Sequence, residues 1–529
     1  MCISHIKQEE GQWIIQTNDE HQRNVALLAQ HFANAFDMGA WGYVLGLLHD
    51  KGKEQLSFQR HIKKESGYDP DTIIAGDYNH AYIGGLLARS LFPKQYALLS
   101  NPIMGHHRGL YDSGDLAELL KKELPKEVEA TPQNIHLTLP PKSYQPYHIH
   151  HIVRFLFSCL VDADRLDTEA FMTPQQNRLR GCNATMAELK QKLEQYLAEL
   201  NRTAPPTFVN EVRRYVQQQC VAESDKDTGY YSLTVPTGGG KTLASVLWAL
   251  NHAVRNNLQR IIIAIPYTSI ITQTAATLKG IFGEDNVLEH HSEVDYADKE
   301  NAVQLQLATE NWDYPIIVTT NVQFFESLFS NSPSQCRKLH NIARSVVIFD
   351  EVQTLPLEFY KPIIEAIKTL KEVFATSILF TTASQPALEG AHRGFDGLEH
   401  IRSIIPDNRQ LHKELKRVEI EEIKEPLGYD DIAERLTQHN RVLCIVNTRR
   451  DAKEIYERLP KEGITLHLSR MMCSAHIRQT IQQIKEHLAT DAETPIRVVA
   501  TQLIEAGVDI DFPAHSQSRS HPARGVWID

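Results

Sequence analysis

The chain has 529 residues, too many for one core, so two to four domains are expected. A 42% share of hydrophobic residues beside 23% charged ones is ordinary for a globular protein. The longest apolar runs, such as 261–265, fall far short of the roughly 18 residues that cross a bilayer, and no membrane partner is expected. A net charge of −11 argues against adhesion to nucleic acid by the whole surface and leaves room for a local groove that grips phosphates.

The opening MCISHIKQEEGQ lacks the basic-then-apolar pattern of a secretion signal. Seven cysteines, an odd count with no CxxC pair, point to free thiols in a reducing cytoplasm rather than to a disulfide framework. The 25 histidines crowd toward the first 151 residues. Imidazole is the commonest metal ligand, so the chemistry is sought there first.

Residues 1–203 read as an all-α domain, with apolar residues at helical spacing in 25–29 and 86–99. An apolar helix over 45–48 ends in His49-Asp50, a doublet whose burial demands partners. Candidates are His21, His80, the adjacent His106-His107, and Asp164 or its neighbour Asp162. With Asp164, that makes seven side chains, more than one divalent ion can use. A pair of ions bridged by Asp50 would absorb them and leave positions for water and substrate, an arrangement suited to phosphodiester cleavage. The nitrogen-rich shell favours Mn, Fe, Co or Ni over Mg. The charged helix 186–200 and Pro205-Pro206 form the way out of this domain.

From 204 the texture becomes α/β. Short β-rich runs (231–235, 260–265, 316–319, 345–349, 377–381, 442–446 and 497–500) alternate with amphipathic segments, which predicts parallel sheets with helices on both faces. Thr237, Gly238, Gly239, Gly240, Lys241 and Thr242 follow a predicted strand and open an apolar helix, the setting of a phosphate-binding loop. Glycine N–H groups and the helix N-terminus face the phosphates, Lys241 reaches the β- and γ-phosphates, and Thr242 holds Mg²⁺. The strict pattern wants Gly at position 235, where Val stands. Asp350 and Glu351 end the apolar run 346–349, where Asp350 binds the same Mg²⁺ and Glu351 orients the attacking water. Together they predict an NTPase using ATP with Mg²⁺.

At this point the sequence resembles superfamily 2 helicases. Residues 236–242 look like their first motif, AIPYTSI at 264–270 the next, and Val318-Thr319-Thr320-Asn321 a strand-contacting motif. Asp350-Glu351-Val352-Gln353 resembles the second motif, Thr382-Ala383-Ser384 the coupling motif, and VLCIVNT (442–448) and VVATQLIEAGVDI (498–510) the fourth and fifth. The resemblance implies that Gln353 links nucleotide to DNA-gripping elements and that Asp509 faces the nucleotide from the second lobe. The histidine–aspartate order resembles HD phosphohydrolases, and the combination resembles the helicase–nuclease of type I CRISPR systems, of subtype C, over residues 15–513.

That family implies an HD-type nuclease (1–203) followed by two RecA-like lobes (204–415 and 416–529), acting as a monomer. It implies one ion on His21, His49 and Asp164, a second on His80, His106 and His107, Asp50 shared, and Lys53 against the scissile phosphate. Asp50, Lys53 and Glu351 are then the catalytic residues. The substrate is single-stranded DNA, moved 3′→5′ and degraded in antiviral defence, with the Cascade surveillance complex as partner. Competing readings are an HD phosphohydrolase of small nucleotides with an ATPase regulator, and a non-catalytic DNA- or partner-binding remnant. From 514 the sequence departs from the family and a sixth motif of the form QxxGRxxR is missing, so the second lobe is expected to be incomplete, through a frameshift or early stop, and ATP turnover impaired.

Overall fold

The computed structural model describes residues 2–528 apart from 75, 77, 126, 127, 129–134, 141, 142, 182, 183, 237, 295–300, 383–387, 393, 394, 416–419, 424–426, 470, 491–493, 502–509, 511 and 519–524. It falls into two compact units, one of Met1–Pro266 with Thr274–Asn408, the other of Tyr267–Gln273 with Arg409–Asp529. The division thus comes at 408–409, ahead of the expected 415–416.

The first unit opens with an antiparallel hairpin, β1 (Ile3–Glu9) and β2 (Gln12–Thr17). An entirely helical start is therefore corrected. Glu9 sits opposite Gln12, so Glu10 and Gly11 form a two-residue turn with φ of 48° and 79°. The strand residues Trp13, Ile14, Ile15 and Thr17 are aromatic and β-branched, as a pleated surface favours, but buried polar residues such as Ser4 and Gln16 hide the alternation.

Seven helices follow: α1 (Asn18–Ala33), α2 (Gly39–Leu48), α3 (Leu56–Glu65), α4 (Ala81–Leu91), α5 (Tyr96–Gly105), α6 (Ser113–Leu120) and the long α7 (Pro146–Met172). The expected continuous stretch 86–99 is two helices, because Pro93 cannot continue α4. α1 and α2 cross closely: a Cβ on Gly46 would lie 2.4 Å from Ala26 Cα. This approach brings the first turn of α1, with His21, to the end of α2, with His49.

The helices Met186–Thr203 and Phe208–Glu223 lead into a seven-stranded parallel sheet. Its strands are β3 (Tyr230–Thr234), β4 (Arg260–Ile265), β5 (Val287–His290), β6 (Ile316–Thr320), β7 (Ser345–Phe349), β8 (Ser377–Thr382) and a short edge at Arg402–Ser403. From that edge the order runs β3-β8-β7-β4-β6-β5. Every residue of β3, β4, β7 and β8 is buried, which is why these strands read as largely apolar runs rather than as alternating ones.

Helical part and sheet share one core. Phe155 of α7 stacks on Phe374 at 3.6 Å between ring centroids, and Phe36 meets the same ring edge-on. Asp162 of α7 is buried against Arg337 (Oδ1 to Nε 2.5 Å), and Arg337 also reaches Glu310. The expected boundary at 203 is thus a change of texture within one unit.

In the second unit Arg441–Val446, Ile464–Leu468 and Ile496–Thr501 form a parallel core. Ala514–Ser518 pairs parallel with Arg441–Val446, and Gly525–Ile528 pairs antiparallel with it and with Ile420–Glu422. Residues beyond 513, expected to be a tail foreign to the family that leaves the lobe incomplete, supply two of the six strands described in this sheet. Backbone pairing holds Ala514–Ser518, a stretch whose sequence carries no apolar period. Among the described residues no helix is long and apolar enough to cross a membrane.

Candidate metal centre and nucleotide loop

His49 follows the last turn of α2, and its Nδ1 donates to the Gly46 carbonyl at 2.8 Å. His106 follows α5 in the same way, its Nδ1 donating to the Ile103 carbonyl at 2.6 Å. His21 sits in the first turn of α1, and its Nδ1 meets the Asp167 carboxylate at 2.7 Å. With the proton of a neutral imidazole on Nδ1, each ring aims an Nε2 lone pair inward.

These lone pairs converge on carboxylates. His21 Nε2 lies 3.3 Å from Asp50 Oδ2, 3.3 Å from Asp164 Oδ1 and 3.3 Å from His49 Nε2. His49 Nε2 lies 3.3 Å from Asp50 Oδ2 and 3.7 Å from Asp164 Oδ1. On the other side of the same carboxylate, Asp50 Oδ1 is 3.3 Å from His80 Nε2 and 3.5 Å from His106 Nε2. His80 Nε2 in turn faces His107 Nε2 at 2.9 Å. Two four-residue groups result, His21-His49-Asp50-Asp164 and Asp50-His80-His106-His107, each with donor atoms within 4.8 Å of one another. Asp50 belongs to both.

The donor chemistry fits cations. Asp50 Oδ1 and His106 Nε2 are buried without a hydrogen-bond partner, a costly state unless positive charge lies between them. Without metal, that demand falls on protons. Burial alone would depress His21, but the Asp164, Asp167 and Asp50 carboxylates outweigh it and raise it to about 11. His49, fully buried, is raised to about 9, chiefly by Asp50. In the other group burial, aided by His106, holds His107 down at about 3, and burial also lowers His80, so both keep free lone pairs.

All seven expected side chains meet here, and Lys53 joins them, its Nζ 2.6 Å from Asp50 Oδ2 and 3.0 Å from Ser4 Oγ. An open cleft of about 480 Å³ beside them is lined by His5, Lys53, His106, His107, Asp164 and Arg165, among others. Asp164 faces this group, whereas Asp162 turns to Arg337 and to Asn311 Nδ2 at 3.2 Å. Sequence reasoning missed Asp167, Gln16 and His5. For Asp167 the signal was present: it lies three residues after Asp164, on the same face of α7.

The second candidate centre is built locally. Gly238 and Gly240 have φ of 82° and 79°, a left-handed backbone that favours glycine. Lys241 opens the helix Lys241–Arg255, and its Nζ pairs with Glu351 and lies 3.6 Å from Asp350 Oδ1. Asp350 stands at the end of β7, accepting from Thr381 Oγ1 and from the Glu351 N–H. Gln353 donates to Glu351 Oε2 at 2.7 Å and accepts from Thr382 Oγ1 at 2.6 Å. The Gly239 N–H donates to the Pro236 carbonyl, and Thr242 is exposed in the helix's first turn. Val235, where the strict pattern wants Gly, is fully buried and prolongs β3 by donating its N–H to Thr382 O. Arg213, unanticipated, donates to the Gly238 carbonyl at 3.0 Å. Thr237 and Asp509 lie outside the described residues, as do Ala383 and Ser384.

Residues 214–390 match the DEAD/DEAH box helicase family, and residues 438–521 match the C-terminal region of CRISPR-associated nuclease/helicase Cas3. The second match crosses residue 514, where the resemblance was expected to stop. A CRISPR-associated nuclease/helicase Cas3 of Haloferax volcanii is 30% identical over 234 residues, covering 38% of this chain and 25% of that protein. One from Methanothermobacter thermautotrophicus is 25% identical over 301 residues, covering 53% and 35%. The chain therefore spans a quarter to about a third of the length of these relatives. In fold it is similar to T. fusca Cas3 bound to AMPPNP (TM-score 0.64, 17% identity, 97% of this chain and 70% of that one). It is also similar to a chain of a CRISPR RNA-guided surveillance complex in a pre-nicking state (TM-score 0.54, 16% identity, 93% and 66%). By partial family matches, relatives and fold together, the chain is similar to Cas3-type nuclease/helicases, with a helicase-like stretch over 214–390 and a Cas3 C-terminal-like one over 438–521.

Proposed function

We propose that this chain couples a metal-dependent nuclease to an ATP-driven motor and degrades single-stranded DNA in type I CRISPR defence. The observation that carries the nuclease half is Asp50, whose two oxygens face two separate sets of imidazoles. Two divalent transition-metal ions bound there would activate water and neutralise charge on a phosphodiester. The protein's own contribution is placement. His21, His49 and Asp164 hold one side of Asp50, and His80, His106 and His107 the other. Lys53, beside Asp50 on the cleft wall, offers its ammonium to the scissile phosphate. In the helicase lobes Lys241 meets the ATP phosphates, Asp350 the Mg²⁺, and Glu351 the attacking water, while Gln353 links that site to the strand being moved 3′→5′. Grip on DNA comes through backbone phosphates, which suits an enzyme that degrades without reading sequence. The partner that delivers DNA is an RNA-guided surveillance complex of the kind in which a structural neighbour is found.

The test is cleavage of linear and circular single-stranded DNA in Mn²⁺ or Ni²⁺, with nucleoside phosphates as competing substrates. DNA cutting that disappears in Asp50→Ala is the expected result. A variant cutting as fast as the parent, or a parent that prefers nucleoside phosphates, would overturn the reading.

A further inference from the structure

The imidazoles around Asp50 are oriented in two ways. His49 and His106 each follow the end of a helix, where the carbonyl three residues back has a lone pair to spare, and each donates Nδ1–H to it. Their tautomer is set by the helix itself. His21 stands in the first turn of α1, where the unsatisfied backbone groups are N–H donors rather than carbonyls. An acceptor for its Nδ1 has to come from another element.

That acceptor is Asp167, one turn beyond Asp164 on α7. Its Oδ2 takes His21 Nδ1 at 2.7 Å and the Gln16 amide at 2.8 Å, and its Oδ1 takes the Asn24 amide at 2.9 Å. The carboxylate side chain is 8% exposed and the His21 ring fully buried. Three donors from β2 and α1 fix the carboxylate in place, so the ring it orients has one available tautomer, with the Nε2 lone pair turned toward Asp50 and Asp164. A charged acceptor also makes the imidazole a stronger donor than a carbonyl does.

We infer that Asp167 is a positioning residue that makes the His21-His49-Asp50-Asp164 group the tighter of two unequal cation sites. The inference rests on the two-cation reading above. The other group has His107 exposed to the cleft and His106 supported by a carbonyl alone, so it is the one that exchanges its ion more readily.

The experiment is equilibrium dialysis of the full chain against Mn²⁺, with bound metal counted by elemental analysis and folding checked by circular dichroism. The parent should bind two ions with separable affinities. Asp167→Asn, which keeps the shape and removes the charge, should weaken the tighter site about 10- to 100-fold and leave the weaker one unchanged. Asp167→Glu should recover part of that loss, which a purely structural role on α7 would not produce. Two ions bound by Asp167→Asn with parental affinities would overturn the inference and leave the two-cation reading standing. A parent that binds no metal would overturn both. Should the variants fail to fold, ¹⁵N-histidine spectra of the zinc-loaded parent decide: the His21 proton on Nδ1 supports the inference, and on Nε2 refutes it.

Discussion

The two candidate centres of the first unit are built by opposite strategies. The nucleotide loop is nearly contiguous: Gly238 to Thr242 form one turn, and Asp350, Glu351 and Gln353 form one strand end, joined by the Lys241–Glu351 pair. The histidine–aspartate centre draws on α1, α2, the segment before α4, the end of α5 and α7, with second partners from the N-terminal hairpin. The first is held by backbone conformation at exposed positions, the second by buried side chains whose charges balance only as a set. A local site tolerates losing one contact. A convergent one does not.

That contrast can be broken most sharply at Asp50. Because both groups share it, Asp50→Ala should lose both cations and reduce metal-dependent cutting by more than about 100-fold, above the usual cost of losing an outer partner. Chelation by EDTA should have the same effect on the parent and none on nucleotide binding assayed without Mg²⁺. If Asp50→Ala kept one tightly bound ion, the sharing would be wrong.

Next in size is the seam between helices and sheet. Arg337→Ala leaves Asp162 buried with its charge uncompensated, which should cost about 3–5 kcal/mol of unfolding free energy. A denaturant melt showing a loss under about 1 kcal/mol would mean that the seam is wetter than described.

At the local site, Lys241→Ala should weaken ATP binding about 10- to 100-fold, as loss of a charged hydrogen bond implies, and leave ATP-independent DNA cutting untouched. Calorimetry for nucleotide and a cutting assay for DNA separate the two. A parallel fall in both would make the centres one site energetically.

The last effect appears only as pH falls. His340 is buried at the seam, stacked on Phe32 at 4.3 Å, and burial lowers it to about 4 against a favourable pull from Asp162. The unfolded ring takes its proton near pH 6.5, so this group's contribution is fully present above that value. It is lost as pH falls from 6.5 to about 4, by up to roughly 3 kcal/mol. His340→Gln should flatten the stability curve in that window, measured by melts at fixed metal. An unchanged slope would show that other groups dominate.

What the sequence revealed follows the same divide. The loop, the strand ends and the parallel sheet were legible because period and motif act over a few neighbouring residues. The seven side chains around Asp50 were nameable from residue type and order, yet only three dimensions decide between Asp162 and Asp164, two residues apart on α7 and turned to different partners. The hairpin went unseen because polar residues such as Ser4 and Gln16 occupy buried positions in its strands and hide the alternation. Asp167 went unseen although its spacing of three from Asp164 put it on the same face of α7, because spacing alone does not tell a carboxylate that supports a ligand from a solvated one. Strand Ala514–Ser518 is held by backbone pairing and carries no hydrophobic signature.

The most direct measurement is anomalous diffraction from crystals grown in Mn²⁺. Two peaks flanking the Asp50 carboxylate, one among His21, His49 and Asp164 and one among His80, His106 and His107, are the predicted result. No peak, or a single peak away from Asp50, would contradict the account.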